Sequence, residues 1–274
     1  MIMEEKINQN EENLKKHSLA SKLIFAIALI LAAAIILGII STVILLCFSV
    51  KQIEVSGDSR YTYSEIIEAS GIKSGARLYF LNEKKAERAL LASFPYLKDV
   101  KINSYFPNRV KIDIEEFEDI YLVPHVNGFC YVNGDFEILE IIESAPEYER
   151  FSGIFIKLEF PIEGEIGALS MNEDAQRATE LIEFIKEYGF YSHLNIVDVE
   201  NKYDNAFIVD KQYKFIIGSM TDISEKIDVA FKVCFSNSFV KENNAIIDAT
   251  DKKKVTLRYV DDENIRLEFD FCQK

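Results

Sequence analysis

Residues 23–50 read LIFAIALILAAAIILGIISTVILLCFSV, and this uncharged run of 28 residues between Lys22 and Lys51 decides the architecture. As a helix it reaches about 42 Å at ~1.5 Å per residue, against roughly 30 Å for the hydrocarbon core of a bilayer. Eighteen of the 28 are Leu, Ile, Val or Phe. At roughly −0.3 to −0.6 kcal/mol each they favour insertion by several kcal/mol, with no charge to oppose them. A cleaved secretory signal has an apolar region of about 7 to 15 residues ending in a small-residue site. Here Ala32 to Ala34 lie mid-run, and the stretch before Lys51 is bulky. Cys47 does not read as a lipidation site, because Leu46 stands where a small residue is needed. The mostly polar residues before Lys22 cannot surround a buried core helix, so the run is read as a membrane span.

The flanks set its orientation. Lys15, Lys16 and Lys22 precede the run and only Lys51 follows it directly, a bias that keeps the N-terminus in the cytoplasm. Residues 1–22 are then a short polar tail in which Glu4, Glu5, Glu11 and Glu12 offset the lysines. Residues 51–274 are exported, and these 224 residues are enough for two domains. Because the tail charges cancel, the whole net charge of −14 falls on the exported part, where 41 acids face 27 bases. Such a surface repels anionic lipid and excludes nucleic acid as a partner. Of the four cysteines, Cys47 lies in the run, and Cys130, Cys234 and Cys272 stand far apart without a C-x-x-C pair. Neither a disulfide framework nor a zinc site is expected.

The first exported module reads β-α-α-β-β. Ile53 and Val55 share one face of a strand that Gly57-Asp58 breaks. Thr62 and Glu65 have the spacing of a capping box, which predicts a helix that starts at about Tyr63 and stops before Gly71. Asn82 is a second N-cap, with Ala86, Ala89, Leu90 and Phe94 facing inward and Pro95 ending the helix. Val100 and Ile102, then Val110, Ile112 and Ile114, alternate with polar residues around a Phe106-Pro107-Asn108-Arg109 turn.

These segments carry a resemblance. Ile53-Glu54-Val55-Ser56-Gly57, Tyr61-Thr62 with Glu65-Ile66-Ile67, Ser70-Gly71-Ile72 and Gly75-Ala76-Arg77-Leu78 are followed by Phe94-Pro95-Tyr96-Leu97-Lys98-Asp99-Val100 and Pro107-Asn108-Arg109-Val110-Lys111-Ile112. In this order, behind a single N-terminal span, they resemble the POTRA domain of the bacterial cell-division family FtsQ/DivIB. The resemblance implies an α+β protein: a cytoplasmic tail (1–22), one transmembrane helix (23–50), a POTRA domain (51–118) and a second β-rich domain (119–274).

The second module reads as a mixed sheet with two helices. Asn127-Gly128 and Asn133-Gly134 predict type I′ hairpin turns joining strands at about 120–126, 129–132 and 136–142. A short strand at 154–158 precedes a helix that a Ser170–Glu173 capping box would open and Gly189 end, burying Ala178, Leu181, Ile182 and Ile185. Strands at 196–199, 206–209 and 213–217 lead to a helix capped by Asp222, with Ile227, Ala230, Phe231 and Cys234 or Phe235 along one stripe. Ile246 to Asp248 is a further strand, and the chain reads as closing in a hairpin, Lys254 to Val260 against Ile265 to Phe271. This half resembles the family's second domain through Tyr131-Val132-Asn133-Gly134, Ile217-Gly218 before Lys226-Ile227, and Ile246-Ile247-Asp248. It departs from the family at Phe117, where Arg is frequent, and at Ser152-Gly153, which lacks a nearby proline.

Motifs of catalysis are missing: H-E-x-x-H, G-x-S-x-G, Walker-type and G-x-G-x-x-G sequences do not occur. His125 and His193 read as strand-end or loop residues, Glu115, Glu116, Glu118 and Asp119 as a solvated face, and Asp261-Asp262-Glu263 as a turn. No enzyme activity, cofactor or metal is expected. The resemblance implies a septal scaffold that recruits and regulates the septal peptidoglycan synthase complex by binding FtsL/DivIC- and FtsB-like single-span proteins. It places partner binding in the last strands, here Ile246, Ile247, Val255, Leu257, Arg258 and Tyr259. There an exposed edge would accept an added strand, unless the C-terminal hairpin occupies it. The alternative is a membrane-anchored POTRA-type binding or sensor protein not specific to division.

Overall fold

The computed structural model of the protein describes residues 22, 24–43, 48–147, 152–234 and 243–269. Residues 1–21 of the expected tail, Cys47, Phe235 and Cys272 lie outside the described residues. Helix α1, Ile24–Val43, is long and apolar enough to cross a bilayer, and none of it is buried by protein. Its one described hydroxyl bond, Thr42 Oγ1 to Gly38 O at 2.8 Å, returns the side chain to the helix backbone, as an apolar surrounding requires. The helix is shorter than the uncharged run. Val50 is fully buried in the following domain, with its N–H on Ala76 O at 2.8 Å, so the end of the run belongs to folded protein.

Two compact units follow from the packing. The first runs to Ser93 and resumes over Asp99–Ile114; the second is made of Phe94–Lys98 and everything from Glu115 on. The first module has strand β1 (Gln52–Ser56), helices α2 (Tyr63–Ser70) and α3 (Glu83–Ser93), and strands β2 (Leu97–Tyr105) and β3 (Arg109–Glu116). They form a sheet in the order β1-β3-β2, with β1 parallel to β3 and Val55 beside Ile112. The expected capping box is present: Thr62 N donates to Glu65 Oε2 at 2.8 Å, and Gly71 ends α2 at φ 69°. Asn82 Oδ1 accepts from Lys85 N at 3.0 Å and so caps α3. Ile66, Ala86, Leu90, Val100, Ile102, Val110 and Ile112 are buried, the alternation and helix stripes read from the sequence. Gly57 takes φ 114° beside Ile114 O, where a Cβ would lie 2.1 Å from that oxygen, so this position of the motif admits only glycine.

Among the described residues the second module is a nine-stranded mixed sheet. Its strands are β4 (Ile120–His125), β5 (Gly128–Asn133), β6 (Ile138–Ile142), β7 (Ile154–Lys157), β8 (Leu194–Asp198), β9 (Asn205–Val209), β10 (Tyr213–Gly218), β11 (Ala245–Asp248) and β12 (Thr256–Tyr259). The order across the sheet is β12-β11-β10-β9-β8-β7-β4-β5-β6. Helices α4 (Glu173–Glu187) and α5 (Ile223–Cys234) contribute Leu181, Ile182, Ile185, Ile227 and Phe231 to a core that includes Val123, Ile156, Val197, Phe207, Phe215 and Ile247. Phe207 and Phe215 stack there with centroids 4.7 Å apart. The alternate strand residues Leu122, Phe155, Ile196 and Ile208 form a second core on the other face.

Three local expectations are corrected. α4 is capped by Asn172, whose side chain accepts from Ala175 N at 2.8 Å, while Ser170 Oγ bonds Glu163 O at 3.0 Å. The Asn-Gly pairs do not form type I′ turns. Only Gly128 of the four residues has positive φ, and Asn133 Oδ1 instead accepts from Asp135 N and Glu137 N, both at 3.0 Å. The two consecutive positive φ values of a I′ turn belong to Asp210 (55°) and Lys211 (53°), between β9 and β10. Asp222 precedes α5 as expected, its carbonyl accepting from Lys226 N at 3.1 Å; it has positive φ, 57°, and its carboxylate pairs with Lys252 Nζ at 2.9 Å. Finally, among the described residues after Val260 none forms a strand: Asp262–Arg266 is a third helix of this module, α6.

Candidate partner-binding edge

A sheet edge carries N–H and C=O groups to which a further strand adds. In the first module the outer side of β2 is shut by α3, where Ile102 N donates to Glu87 Oε1 at 3.0 Å and Ser104 N to Glu83 Oε1 at 2.9 Å. At the start of β6 the chain over 167–169 has the same effect: Ile138 N donates to Ala168 O at 2.9 Å and Gly167 N to Ile138 O at 2.7 Å. β12 differs. It pairs antiparallel with β11 on one side, and among the described residues no strand lies on the other.

Bonding direction along this pair alternates. Ala245 N and Ala249 N donate to β10 residues' side, to Gln212 O and Ile216 O, while Asn244 O accepts from Val260 N at 3.0 Å. Every second residue of an antiparallel ladder faces its partner. Thr256 and Arg258, opposite Asp248 and Ile246, therefore bond toward β11, and the peptide groups of Leu257 turn outward. The structure thus brings five of the six expected residues onto the adjacent strands β11 and β12, with Val255 just before β12, but gives them different surroundings. Ile247 is fully buried under the helices. Val255 and Leu257 are half-buried against the same core, Ile246 is half-buried, and Arg258 and Tyr259 are exposed.

Among the described residues, the C-terminal segment to Phe269 does not occupy that edge. α6 turns it across the face of the sheet, where Ile265 and Phe269 are buried in the core with Leu122, Phe155, Ile196 and Ile208. Glu268 fastens it, accepting from Lys157 Nζ at 2.7 Å and Lys214 Nζ at 2.6 Å. Burial pushes the Glu268 carboxyl up, but these two hydrogen bonds outweigh it and hold the group below the usual carboxylate range. Burial likewise works against the Lys157 ammonium, and Glu268 and Asp198 more than compensate, raising its pKa.

Other polar candidates have structural partners. His125 is buried; its Nδ1 accepts from Asn127 N at 3.1 Å, so Nε2–H donates to Gly164 O at 3.1 Å. His193 is exposed, with Nδ1 2.7 Å from Asp210 Oδ1. Burial pushes the thiols of Cys130 and Cys234 up to about 12, away from the thiolate a nucleophile needs. Asp119, read as part of a solvated face, instead accepts from Lys186 Nζ at 2.7 Å and Tyr191 Oη at 2.5 Å. Asp261 and Asp262 open α6. Two elements had no sequence signal. One is the pair of Glu87 and Glu83, whose helical stripe alone did not show that it faces a strand edge. The other is the burial of Lys226, a residue named only within the family resemblance, which has its Nζ on Ile217 O and Ser219 O at 3.1 and 2.8 Å.

Residues 48–117 match the FtsQ-type POTRA domain. The chain is 25% identical over 203 residues to the cell division protein DivIB of Clostridium acetobutylicum, covering 73% of this chain and 78% of that protein. It is 24% identical over 228 residues to the DivIB protein of Clostridium botulinum, covering 77% and 84%. To the cell division protein FtsQ of Corynebacterium glutamicum it is 25% identical over 120 residues, 44% of this chain and 52% of that one.

Proposed function

Because the chain belongs to the FtsQ/DivIB family of POTRA-domain cell-division proteins, we propose that it is a membrane-anchored scaffold of the septum that works by binding. In this reading residues 1–22 stay in the cytoplasm, and the POTRA domain (51–118) and the second domain (119–274) stand outside. There they hold FtsL/DivIC- and FtsB-like single-span proteins and through them recruit and regulate the septal peptidoglycan synthase complex.

The mechanism is strand addition at β12, and the observation that carries it is the outward side of this strand beside Leu257, left without a neighbouring strand among the described residues. β12 offers a partner strand the kind of side that is covered at β2 and at the start of β6. Backbone hydrogen bonds supply affinity there, and Arg258 and Tyr259 supply side-chain selectivity.

Proline distinguishes this edge from simple loss of packing. The Leu257 N–H turns away from β11, so Leu257→Pro removes an outward donor and spares the ladder, whereas Leu257→Ala keeps the donor and trims the side chain. In a pull-down of the full chain with FtsL/DivIC- and FtsB-like partners, Leu257→Pro is expected to lose binding and Leu257→Ala to retain it. Unchanged binding of Leu257→Pro removes β12 as the site.

A further inference from the structure

We propose that the base of the first domain is itself a membrane-docking surface, which seats exposed aromatic rings and basic side chains in the anionic headgroup layer next to the span. The proposal rests on reading α1 as a membrane helix and goes beyond the scaffold role.

Three segments meet at this base. Phe48 O accepts from Leu78 N at 3.0 Å, Val50 N and O bond Ala76 O and Gly75 N at 2.8 and 2.7 Å, and Lys51 N donates to Asn108 O at 2.8 Å. The Phe48 ring meets Phe106 edge-on at 5.5 Å. Chain residues 48–51, the loop of 73–81 and the turn of 105–109 are thereby held together as one surface. Tyr79 is 78% exposed, Phe80 75% and Phe106 63%, large aromatic areas that a soluble domain ordinarily covers.

Charge at this base opposes that of the rest of the molecule. Those three segments contain Lys51, Lys73, Arg77 and Arg109 and not one acid, in a chain of net charge −14. Aromatic rings with basic neighbours are the composition of a protein surface at the lipid headgroups, where ring bodies sit among acyl-chain ends and cations meet phosphate.

The tether leaves little alternative. α1 has 20 residues, about 30 Å of helix and the thickness of the hydrocarbon core. From Val43 to Phe48 the chain advances five residues, at most about 18 Å fully extended. Ile44, Leu45, Leu46 and Cys47, which fill this interval, are all uncharged. The surface bonded to Phe48 is therefore within reach of the interface, and lipid is its partner.

The chain has no tryptophan, so a single introduced indole reports its own depth. Full-length Phe80→Trp, Tyr63→Trp and Leu37→Trp variants are reconstituted in bilayers of phosphatidylcholine and phosphatidylglycerol, with and without bromine high on the acyl chains. Tyr63 is exposed but lies beyond the far end of β1 from Phe48, and Leu37 is mid-span. Phe80→Trp is expected to emit at shorter wavelength in bilayers than Tyr63→Trp and to lose at least about two-fold in intensity to bromine. Tyr63→Trp should lose none. Phe80→Trp behaving as Tyr63→Trp, while Leu37→Trp is quenched, overturns docking and leaves the span intact. An unquenched Leu37→Trp overturns both.

Discussion

Glu268 shows how one side chain decides where a whole segment goes. It lies among Lys157, Lys214 and, through Lys157, Asp198, and it holds Ile265 and Phe269 over the back of the sheet. Its pKa is lowered by folding from 4.5, so its contribution is present above that value and is lost as pH falls through the folded one. Lys157, raised from 10.5, contributes below that value and loses its contribution as pH rises through its folded pKa. The clasp is therefore intact across the neutral range. Removing one partner strands the other charges. Glu268→Ala should lower the unfolding free energy at pH 7 by about 1–3 kcal/mol, the buried-pair penalty reduced for partial exposure. Urea denaturation of the full chain in detergent reads this, and the gap to wild type should close as pH falls below 4.5.

At the scale of elements, α4 and α6 show what patterns do and do not specify. Ser170 and Glu173 have capping-box spacing, yet the chain begins α4 from Asn172, because Ser170 Oγ is already bonded to Glu163 O. Asn172→Ala should cost about 1 kcal/mol and Ser170→Ala less, a difference that thermal denaturation of the two variants resolves. Equal losses would restore Ser170 as the cap. For α6 the same residues support two readings. Ile265 and Phe269 share a face in a strand of period two, and also in a helix, where residues four apart align. The choice depends on the apolar face formed by Leu122, Phe155, Ile196 and Ile208, residues far away in sequence. A helix crossing that face covers it, whereas one more strand at the edge would leave it to water. β12 keeps its outer side for the same reason.

The molecule as a whole joins one greasy helix to two folded units, and its predicted topology follows from the lysines around the span. Protease added to intact wall-less cells is expected to digest the residues beyond α1, and a fluorescent fusion to gather at the septum. Protection of those residues until the membrane is opened would reverse the orientation, and an even distribution would count against the septal role.

By itself the sequence determined what rests on local chemistry and periodicity. The uncharged run, the β-α-α-β-β module with its Thr62–Glu65 cap, the inward stripes of α4 and α5 and the alternation of most sheet strands all follow from neighbouring residues, as does the family resemblance. Only the tertiary structure decided that Phe48 to Val50 leave the span to join the first domain, and that Glu87 and Glu83 close β2. It also decided that α6 covers a sheet face and that β12 ends the sheet among the described residues. Each of these depends on which distant backbone groups and apolar surfaces need a partner, and spacing along a chain does not encode that.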